Sequence, residues 1–219
     1  MTDFKMDWAR EQRTGLAEAL MCEGKTPEQI GGILSDAGNR RLLLTRLSAE
    51  KLALLPDSRR NGLDYDPLSH TAYWGEAPVP PGSAKNVVIV CAGTSDLPIA
   101  REAQRTLAFF GHNGPLIADV GVAGLWRLME RLEEIRRYPV IIAVAGMEGA
   151  LFSVLAGLTD AIVIAVPTSV GYGVAAGGHA ALHSALASCA PGVLTVNIDN
   201  GFGAACSAIK ILRQNRGAE

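Results

Sequence analysis

The segment PVIIAVAGMEGAL, residues 139–151, decides how the rest of the chain is interpreted. Its apolar run from Val140 to Val144 is rich in β-branched residues, which predicts a strand buried on both faces. A glycine-containing tight turn that carries Glu148 follows, and then an apolar helix. Ligands of open α/β sheets bind at the carboxyl ends of the strands, so Glu148 lies at the mouth of an expected site. The alternative is that Glu148 only complements the helix dipole in the first turn.

The same alternation of strands and helices recurs along the chain from residue 86 onward. Strand–helix repeats at this spacing predict βαβ units with right-handed crossovers. The predicted fold class is therefore α/β, with a three-layer αβα parallel sheet. Strands are predicted at 86–92, 115–120, 139–145, 161–166 and 193–199, and helices at 96–110, 124–136, 148–157, 178–188 and 202–215.

The amino-terminal third of the chain has a different organisation. APVPPGSA, residues 77–84, contains three prolines and predicts a stiff, extended linker. The linker leaves residues 1–76 as a small amino-terminal α/β domain and residues 85–219 as the larger, nucleotide-binding and catalytic domain.

Local signals within residues 1–76 are uneven. Thr26 and Gln29 predict a capping box at a helix start, with Pro27 at the first helical position, and Ser48 predicts a second cap. Pro67 disfavours a central strand around it. The predictions are a helix at 26–37, a strand at 41–46, a helix at 48–55, no clear periodicity in 1–25, and an edge strand or loop at 63–73.

The composition excludes several classes of protein. The chain has 219 residues, a net charge of −2 and no basic cluster, so no nucleic-acid partner is expected. It has neither a charged-then-apolar signal at its start nor an apolar run long enough for a bilayer. We therefore expect a cytoplasmic protein without membrane contact. The four cysteines have no CxxC spacing, which favours reduced thiols over a zinc site or disulfides.

Small and polar residues follow the ends of the predicted strands. N–H groups at helix N-termini bind phosphate, and glycine lets a backbone approach a ligand closely. We expect these loops to bind a nucleotide, with 166–178 as a phosphate cradle or lid and Gly171 at positive φ. The alternatives are an ordinary helix cap at Ser95 or Asp96 and an Asx-turn that closes onto the last helix. The candidate binding residues are Gly93, Thr94, Ser95, Asp96, Asp119, Val120, Gly121, Gly146, Met147, Gly149, Thr168, Ser169, Gly171, Tyr172, Gly173, Asn197, Asp199 and Asn200.

Cys189 differs from the other cysteines in its position. It lies in a loop after a predicted helix, where a thiol can be exposed, whereas Cys91 and Cys206 fall inside predicted elements and are expected to be structural. A helix C-terminus does not lower the pKa of a thiol, so activation of Cys189 needs another partner. His179 and His183 share one helix face, but zinc sites need three or four ligands and no third ligand has a matching spacing.

The second half of the chain contains the motifs CAGTSD (91–96), DVGVAG (119–124), VAGMEGAL (144–151), AVPTSVGYG (165–173), SCAPG (188–192) and NIDNGFGAA (197–205). Together with EGKTPEQI (23–30) and LTRLSAEK (44–51) in the first half, these motifs resemble the LarB family over nearly the whole chain. EGKTPEQI and LTRLSAEK resemble the amino-terminal domain of that family. The second half also resembles the core of PurE, the aminoimidazole ribonucleotide carboxylase/mutase, which implies a PurE-like, flavodoxin-like fold and a homo-octamer. The Ser-Ala-His-Arg motif of PurE is replaced here by ADVGVAG, so the catalytic histidine is missing.

The resemblance also implies a reaction. LarB proteins carboxylate nicotinic acid adenine dinucleotide with carbon dioxide or bicarbonate and release AMP. The other product is pyridinium-3,5-biscarboxylic acid mononucleotide, in the first step of nickel-pincer cofactor synthesis. Cys189 matches the family nucleophile and Glu148 its base.

The resemblance implies no organic cofactor. Mg²⁺ is the expected aid to phosphoanhydride hydrolysis, although no sequence feature fixes a metal site. Two alternative functions are a PurE-like carboxylase or mutase acting on (N5-carboxy)aminoimidazole ribonucleotide, and a non-catalytic nucleotide-binding protein, because a fold alone does not determine function.

Overall fold

The computed structural model describes residues 4–75 and 86–215, and the predicted linker at 77–84 lies outside them. The described residues form two β-sheets, one from each side of the gap. No helix in these two ranges combines the length and the apolarity that a membrane span requires.

The amino-terminal sheet is four-stranded and mixed. Its strands are β1 (Ala19–Met21), β2 (Leu42–Thr45), β3 (Leu63–Asp66) and β4 (Thr71–Trp74), and the helices around it are α1 (Arg10–Thr14), α2 (Pro27–Ala37), α3 (Ala49–Ala53) and α4 (Asp57–Arg60). The strand order is β1-β2-β4-β3. β1 pairs with β2 in parallel, and β4 is antiparallel to both of its neighbours.

The predicted helix caps of this region are confirmed. Gln29 N–H donates to Thr26 Oγ1 at 3.3 Å, and Thr26 N–H donates to Gln29 Oε1 at 3.1 Å, which completes the capping box of α2. Ser48 Oγ accepts the N–H of Lys51 at 3.3 Å and caps α3.

Residues 1–25, whose sequence shows no clear periodicity, contain α1 and β1, and both elements are too short to show a periodic pattern. The segment 63–73 forms a hairpin. β3 is an edge strand, as predicted, but β4 is an interior strand of the sheet, and in this respect the prediction needs correction. Pro67 lies just after the end of β3, where it need not donate to either neighbouring strand.

The carboxyl-terminal sheet is five-stranded and entirely parallel. Its strands are β5 (Val87–Cys91), β6 (Leu116–Ile117), β7 (Val140–Ala145), β8 (Ile162–Pro167) and β9 (Val193–Thr195), and its helices are α5 (Leu97–Phe109), α6 (Leu125–Ile135), α7 (Ala150–Leu158), α8 (His179–Leu186) and α9 (Gly201–Asn215). The strand order is β6-β5-β7-β8-β9. The predicted α/β class and the order of strands and helices are confirmed, although β6 and β9 are shorter than predicted.

Helices cover both faces of the parallel sheet. α5 and α9 pack on one face, while α6, α7 and α8 pack on the other. Successive residues of each strand point to opposite faces of the sheet. Ile89 therefore packs with α5 and α9, and Val90 packs on the other face. Every residue of β5 and β7 is buried, as expected for central strands of a parallel sheet.

Helix α5 also packs against the amino-terminal sheet. Arg105 Nε donates to Thr71 Oγ1 at 2.8 Å, and its guanidinium lies 3.9 Å from the centre of the Tyr73 ring. The Tyr73 hydroxyl donates to the carbonyl of Arg105 at 2.6 Å. Tyr73, Leu43 and Phe109 form a small apolar cluster at the same junction. The two sheets are therefore joined through a packed contact on α5.

Candidate active site

Asp96 and Thr168 connect the loop after β5 to the loop after β8. Thr168 Oγ1 donates to Asp96 Oδ1 at 2.5 Å, and Gly93 N–H donates to Asp96 Oδ2 at 3.0 Å. Burial raises the pKa of Asp96, while the hydrogen bonds from Thr168 and Gly93 act in the opposite direction. The two side chains are only 4% and 0% exposed, so their observed role is to hold the two loops together. Asp96 also makes no side-chain cap to α5.

Two further hydrogen bonds complete the connection of the loops. Ser169 N–H donates to Asp199 Oδ1 at 2.8 Å, which joins the loop after β8 to the turn before α9. Met147 N–H donates to the carbonyl of Val170 at 2.9 Å, which adds the loop after β7. Loops that are far apart in sequence are thus held as one surface at the carboxyl edge of the sheet.

Three non-glycine residues on this surface have left-handed backbone conformations. The φ angles are 60° at Asp119, 51° at Met147 and 54° at Asp199. Such conformations cost roughly 1–3 kcal/mol each and cluster at functional sites. All three lie in loops that follow strand ends, which supports this edge of the sheet as the site.

The glycine at position 171 is required for a different reason than expected. Gly171 does not have a positive φ, whereas Gly173 does, with a φ of 56°. A Cβ added at Gly171 would lie 2.4 Å from the carbonyl oxygen of Ala175. Close backbone packing therefore excludes a side chain there, and the loop is folded tightly on itself.

The predicted binding residues differ in accessibility. Thr94, Ser95 and Ser169 are exposed and offer hydroxyl groups to a ligand. Asn200 accepts the N–H of Gly203 at 2.8 Å, so the alternative interpretation as a turn onto the last helix holds for this residue. Exposed are Thr94, Ser95, Asp119, Met147, Ser169, Tyr172, Gly173 and Asn197; half-buried are Gly93, Gly121, Gly146, Gly171, Asp199 and Asn200; buried are Asp96, Val120, Gly149 and Thr168.

Glu148 is exposed and lies in the turn between β7 and α7. Gly149 N–H donates to the carbonyl of Gly146 at 2.9 Å and closes this turn. The helix begins at Ala150, not at residue 148 as predicted, and its first turn contains no acidic residue. The helix-dipole alternative for Glu148 requires a place in that first turn, so the structure does not favour it.

Cys189 is the exposed thiol among the described residues. It lies on the connection between α8 and β9, which leads to the amino end of β9. Next to it, Ser188 Oγ is 2.7 Å from Ser153 Oγ of α7. Among the described residues, Cys189 therefore does not belong to the hydrogen-bond network that joins the loops at the carboxyl edge.

The other three thiols are poorly suited to nucleophilic chemistry. Burial raises the pKa of Cys22, Cys91 and Cys206 to about 12. At neutral pH these groups are protonated, and a thiol reacts through its thiolate.

A cleft of about 440 Å³ lies between the two sheets. Arg46, Lys51 and His70 line it on the amino-terminal side, and Ser95 and Ser169 line it on the side of the loops. Arg46 NH2 donates to the carbonyl of Asp199 at 2.8 Å, which connects the amino-terminal side of the cleft to the turn before α9. Sequence reasoning did not identify this amino-terminal lining of the cleft: LTRLSAEK, which contains Arg46 and Lys51, indicates only the family resemblance.

Glu102 is a second residue that sequence reasoning missed. It lies on α5, is 4% exposed and lines the same cleft. Burial raises its pKa to about 7, although the N–H of Phe202, 3.2 Å away, and the charge of Arg46 act in the opposite direction. One signal of its role was available: Glu102 lies beside Ala103 on the buried, apolar face of α5. Carboxylates are rarely buried there, so such a residue requires an explanation.

The described residues do not assemble a metal centre. No group of three or more His, Cys, Asp or Glu side chains that could hold a metal occurs in them. Asp119 pairs with Arg127 at 2.5 Å, and the ring centres of His179 and His183 are 6.4 Å apart. A protein site made of these groups alone does not fit Mg²⁺, which can instead bind through one or two carboxylates and substrate phosphates.

Comparisons with known proteins agree with this architecture. Residues 1–76 match the family described as LarB/PurE-like N-terminal domain, and residues 86–218 match the family AIR carboxylase. An uncharacterized protein of Methanocaldococcus jannaschii is 37% identical over 209 residues, which cover 92% of this chain and 80% of the relative.

A second relative is the N5-carboxyaminoimidazole ribonucleotide mutase of the same organism. It is 38% identical over 131 residues, which cover 58% of this chain and 78% of the mutase. The similarity to the mutase thus covers a smaller share of this chain, whereas the two family matches together account for both sheets. The chain belongs to the LarB family, and its carboxyl-terminal domain is that of the PurE-like carboxylases and mutases.

Proposed function

We propose that this protein carboxylates nicotinic acid adenine dinucleotide at C5 of the pyridinium ring and then hydrolyses the phosphoanhydride. The products are pyridinium-3,5-biscarboxylic acid mononucleotide and AMP, and the reaction begins nickel-pincer cofactor synthesis. The observation that carries the proposal is the combination of a LarB-type amino-terminal domain with an exposed Cys189 on a PurE-like domain.

The chemistry requires covalent catalysis because the pyridinium ring is electron-poor. The Cys189 thiolate adds to C4 and gives a neutral dihydropyridine, whose C5 is enamine-like and attacks carbon dioxide. A base then removes the C5 proton, the ring regains aromaticity, and the C4–S bond breaks with the electron pair returning to sulfur. One difficult step is thereby divided into easier ones.

Glu148 is the proposed base for the C5 proton. It is exposed just after the carboxyl end of β7, whereas Cys189 lies on the connection that leads to the amino end of β9. In the proposal, neighbouring copies of the chain bring the two groups to one pyridinium ring, as in the homo-octamer that the family resemblance implies. A base must first have access to the proton that it removes, and only then does its pKa matter.

A PurE-like carboxylase or mutase is the second candidate, and the relative that bears the mutase name favours it. PurE enzymes carry a histidine in the loop after the second strand of their sheet. The corresponding loop here contains Asp119, Val120 and Gly121 and no histidine. The missing group weighs against this alternative.

Mass spectrometry tests the proposal directly. We expect the protein, incubated with nicotinic acid adenine dinucleotide, bicarbonate and Mg²⁺, to form AMP and a dicarboxylated mononucleotide. Turnover of carboxyaminoimidazole ribonucleotide instead would support the mutase, and binding without turnover would support a non-catalytic protein.

Glu148→Gln tests the assignment of the base. Thiolate addition and carboxylation need no carboxylate at this position, so intact-protein mass spectrometry should show an adduct accumulating on Cys189. The exposed Glu130 on α6 provides the control, Glu130→Gln, which should turn over normally. Normal turnover of Glu148→Gln would show that another group removes the proton.

A further inference from the structure

We propose that the cleft between the two sheets is where the phosphoanhydride is cleaved, and that Glu102 is the general base for the attacking water. This inference rests on the proposed function and assigns the hydrolytic half of that reaction, for which Cys189 and Glu148 have no role.

The position of the cleft suits the phosphate groups of a dinucleotide. Ser95 and Ser169 line it from the loops that join β5 to α5 and β8 to α8. Arg46 and Lys51 line it from the amino-terminal side and carry positive charge. Arg46 also pairs with Glu23 at 3.1 Å, and Lys51 Nζ donates to the carbonyl of Cys22 at 2.9 Å, so an anionic ligand shares these cations with groups of the protein. Its volume of about 440 Å³ lies within the usual range for small-molecule sites.

Glu102 has the placement that a general base requires. Its carboxylate lines the cleft from α5, and the N–H of Phe202 at the start of α9 orients one of its oxygens at 3.2 Å. The side chain is 4% exposed, so bulk water does not screen it and its ionisation lies near neutral pH. A base that titrates near the working pH is the most effective kind.

The proposed step is balanced in atoms and charge. Water attacks one phosphorus of the anhydride, and its proton passes to the Glu102 carboxylate as the new P–O bond forms. The bridging P–O bond breaks, and its electron pair leaves on the phosphate of AMP. Glu102 then releases the proton to solvent.

Other charged groups around Glu102 determine the pH dependence. Arg46, which follows β2, lowers its pKa, and Asp199, which precedes α9, raises it. Cys206 on α9 also faces it, since the charge of Glu102 contributes to the raised pKa of that thiol. Glu23, Lys51 and His70 line the same cleft from the amino-terminal side.

The test separates carboxylation from hydrolysis. Labelled bicarbonate reports carboxylation, chromatography reports AMP, and the variants are Glu102→Gln and the exposed control Glu130→Gln. Gln keeps an oxygen that can accept the Phe202 N–H but cannot act as a base. We expect Glu102→Gln to incorporate label normally, to release AMP about 10²- to 10³-fold more slowly, and to accumulate the carboxylated dinucleotide.

The pH profile provides a readout that a structural role would not change. Wild-type AMP release should rise with pH through a midpoint near the pKa of Glu102, about 7. Arg46→Gln removes a positive charge that favours the carboxylate, so this midpoint should move to higher pH.

Three results would contradict the inference. AMP release at the wild-type rate in Glu102→Gln would overturn it and leave the proposed function intact. Equal loss of carboxylation and hydrolysis, together with lost dinucleotide binding in calorimetry, would show that Glu102 only holds α5 and α9 together. A wild-type protein that neither incorporates label nor releases AMP would remove the proposed function itself.

Discussion

The loops at the carboxyl edge of the parallel sheet and the connection between α8 and β9 are stabilised very differently. Buried Asp96 and Thr168, together with backbone bonds to Asp199 and Val170, hold the loops in one arrangement. The connection that carries Cys189 is exposed, and a bond between Ser188 and Ser153 attaches it to α7. The first region is fixed by hydrogen bonds before any ligand arrives, whereas the second presents an exposed thiol, which we propose to be the nucleophile.

Because different contacts hold the two regions, we expect that ligand binding and covalent chemistry can be disrupted separately. Changes in the loop network should reduce affinity and stability together, because buried polar groups lose their partners. Changes on the α8–β9 connection should affect the chemical step and leave the fold almost unchanged.

Cys189→Ser should abolish carboxylation while leaving the protein folded. An alcohol is scarcely ionised near neutral pH, so turnover should fall by at least about 10³-fold, and the free energy of unfolding should change by less than about 0.5 kcal/mol because the site is exposed. Label incorporation and denaturant unfolding measure the two quantities.

The matched control for the thiol is Cys206→Ser, which alters the partly buried cysteine of α9. We expect this variant to retain turnover. Near wild-type turnover of Cys189→Ser would show that the covalent mechanism does not apply.

Asp96→Ala should weaken both stability and binding. The change leaves the Thr168 hydroxyl and the Gly93 N–H without their acceptor in a buried site, which costs about 2–3 kcal/mol. The loops should lose their fixed arrangement, and affinity for the dinucleotide should fall at least about tenfold, equal to about 1.4 kcal/mol. Urea unfolding and calorimetric titration test this, with the exposed Asp160→Ala as the control. Unchanged affinity would mean that the network does not support the site.

Gly171→Val should disturb one loop without unfolding the domain. The new Cβ would approach the carbonyl of Ala175 to 2.4 Å, so the loop must shift at a cost of about 1–3 kcal/mol. Affinity for the dinucleotide should fall. Gly157→Ala in α7 is the control, since nothing lies within 4 Å of its added Cβ, and it should stabilise the protein by about 0.5–1 kcal/mol. Equal affinities of the two variants would remove this loop from the site.

Ser153→Ala should have the smallest effect. It removes the hydrogen bond to Ser188, which contributes about 0.5–1.5 kcal/mol. Binding of the dinucleotide should be unchanged, because Ser153 lies outside the loop network. Calorimetry measures the affinity and thermal unfolding measures the stability. The control is Ser207→Ala, which removes only a local hydrogen bond within α9 and should be distinguishable from Ser153→Ala by these measurements. A loss of affinity in Ser153→Ala would show that the two regions are coupled.

The sequence predicted the local elements well because their signals are local. The β-branched run at Val140, the capping box of Thr26 and Gln29, and the regular alternation after residue 86 each appear in the structure as expected. Short elements such as β1 and the interior strand β4 were missed, because three or four residues carry too little periodicity and long-range pairing determines their place.

What the sequence alone determined is the α/β class, the order of elements and the position of Cys189 in a loop. Only the folded chain shows which polar groups are buried and which are exposed. Asp96 meets Thr168 across 72 residues and Arg46 meets the Asp199 carbonyl across 153 residues, contacts that no local pattern encodes. Tertiary structure also decided that Glu102 is buried beside the cleft, because burial depends on what α5 packs against. A side chain's neighbours set its desolvation and its hydrogen bonds, and these properties exist only once the chain has folded.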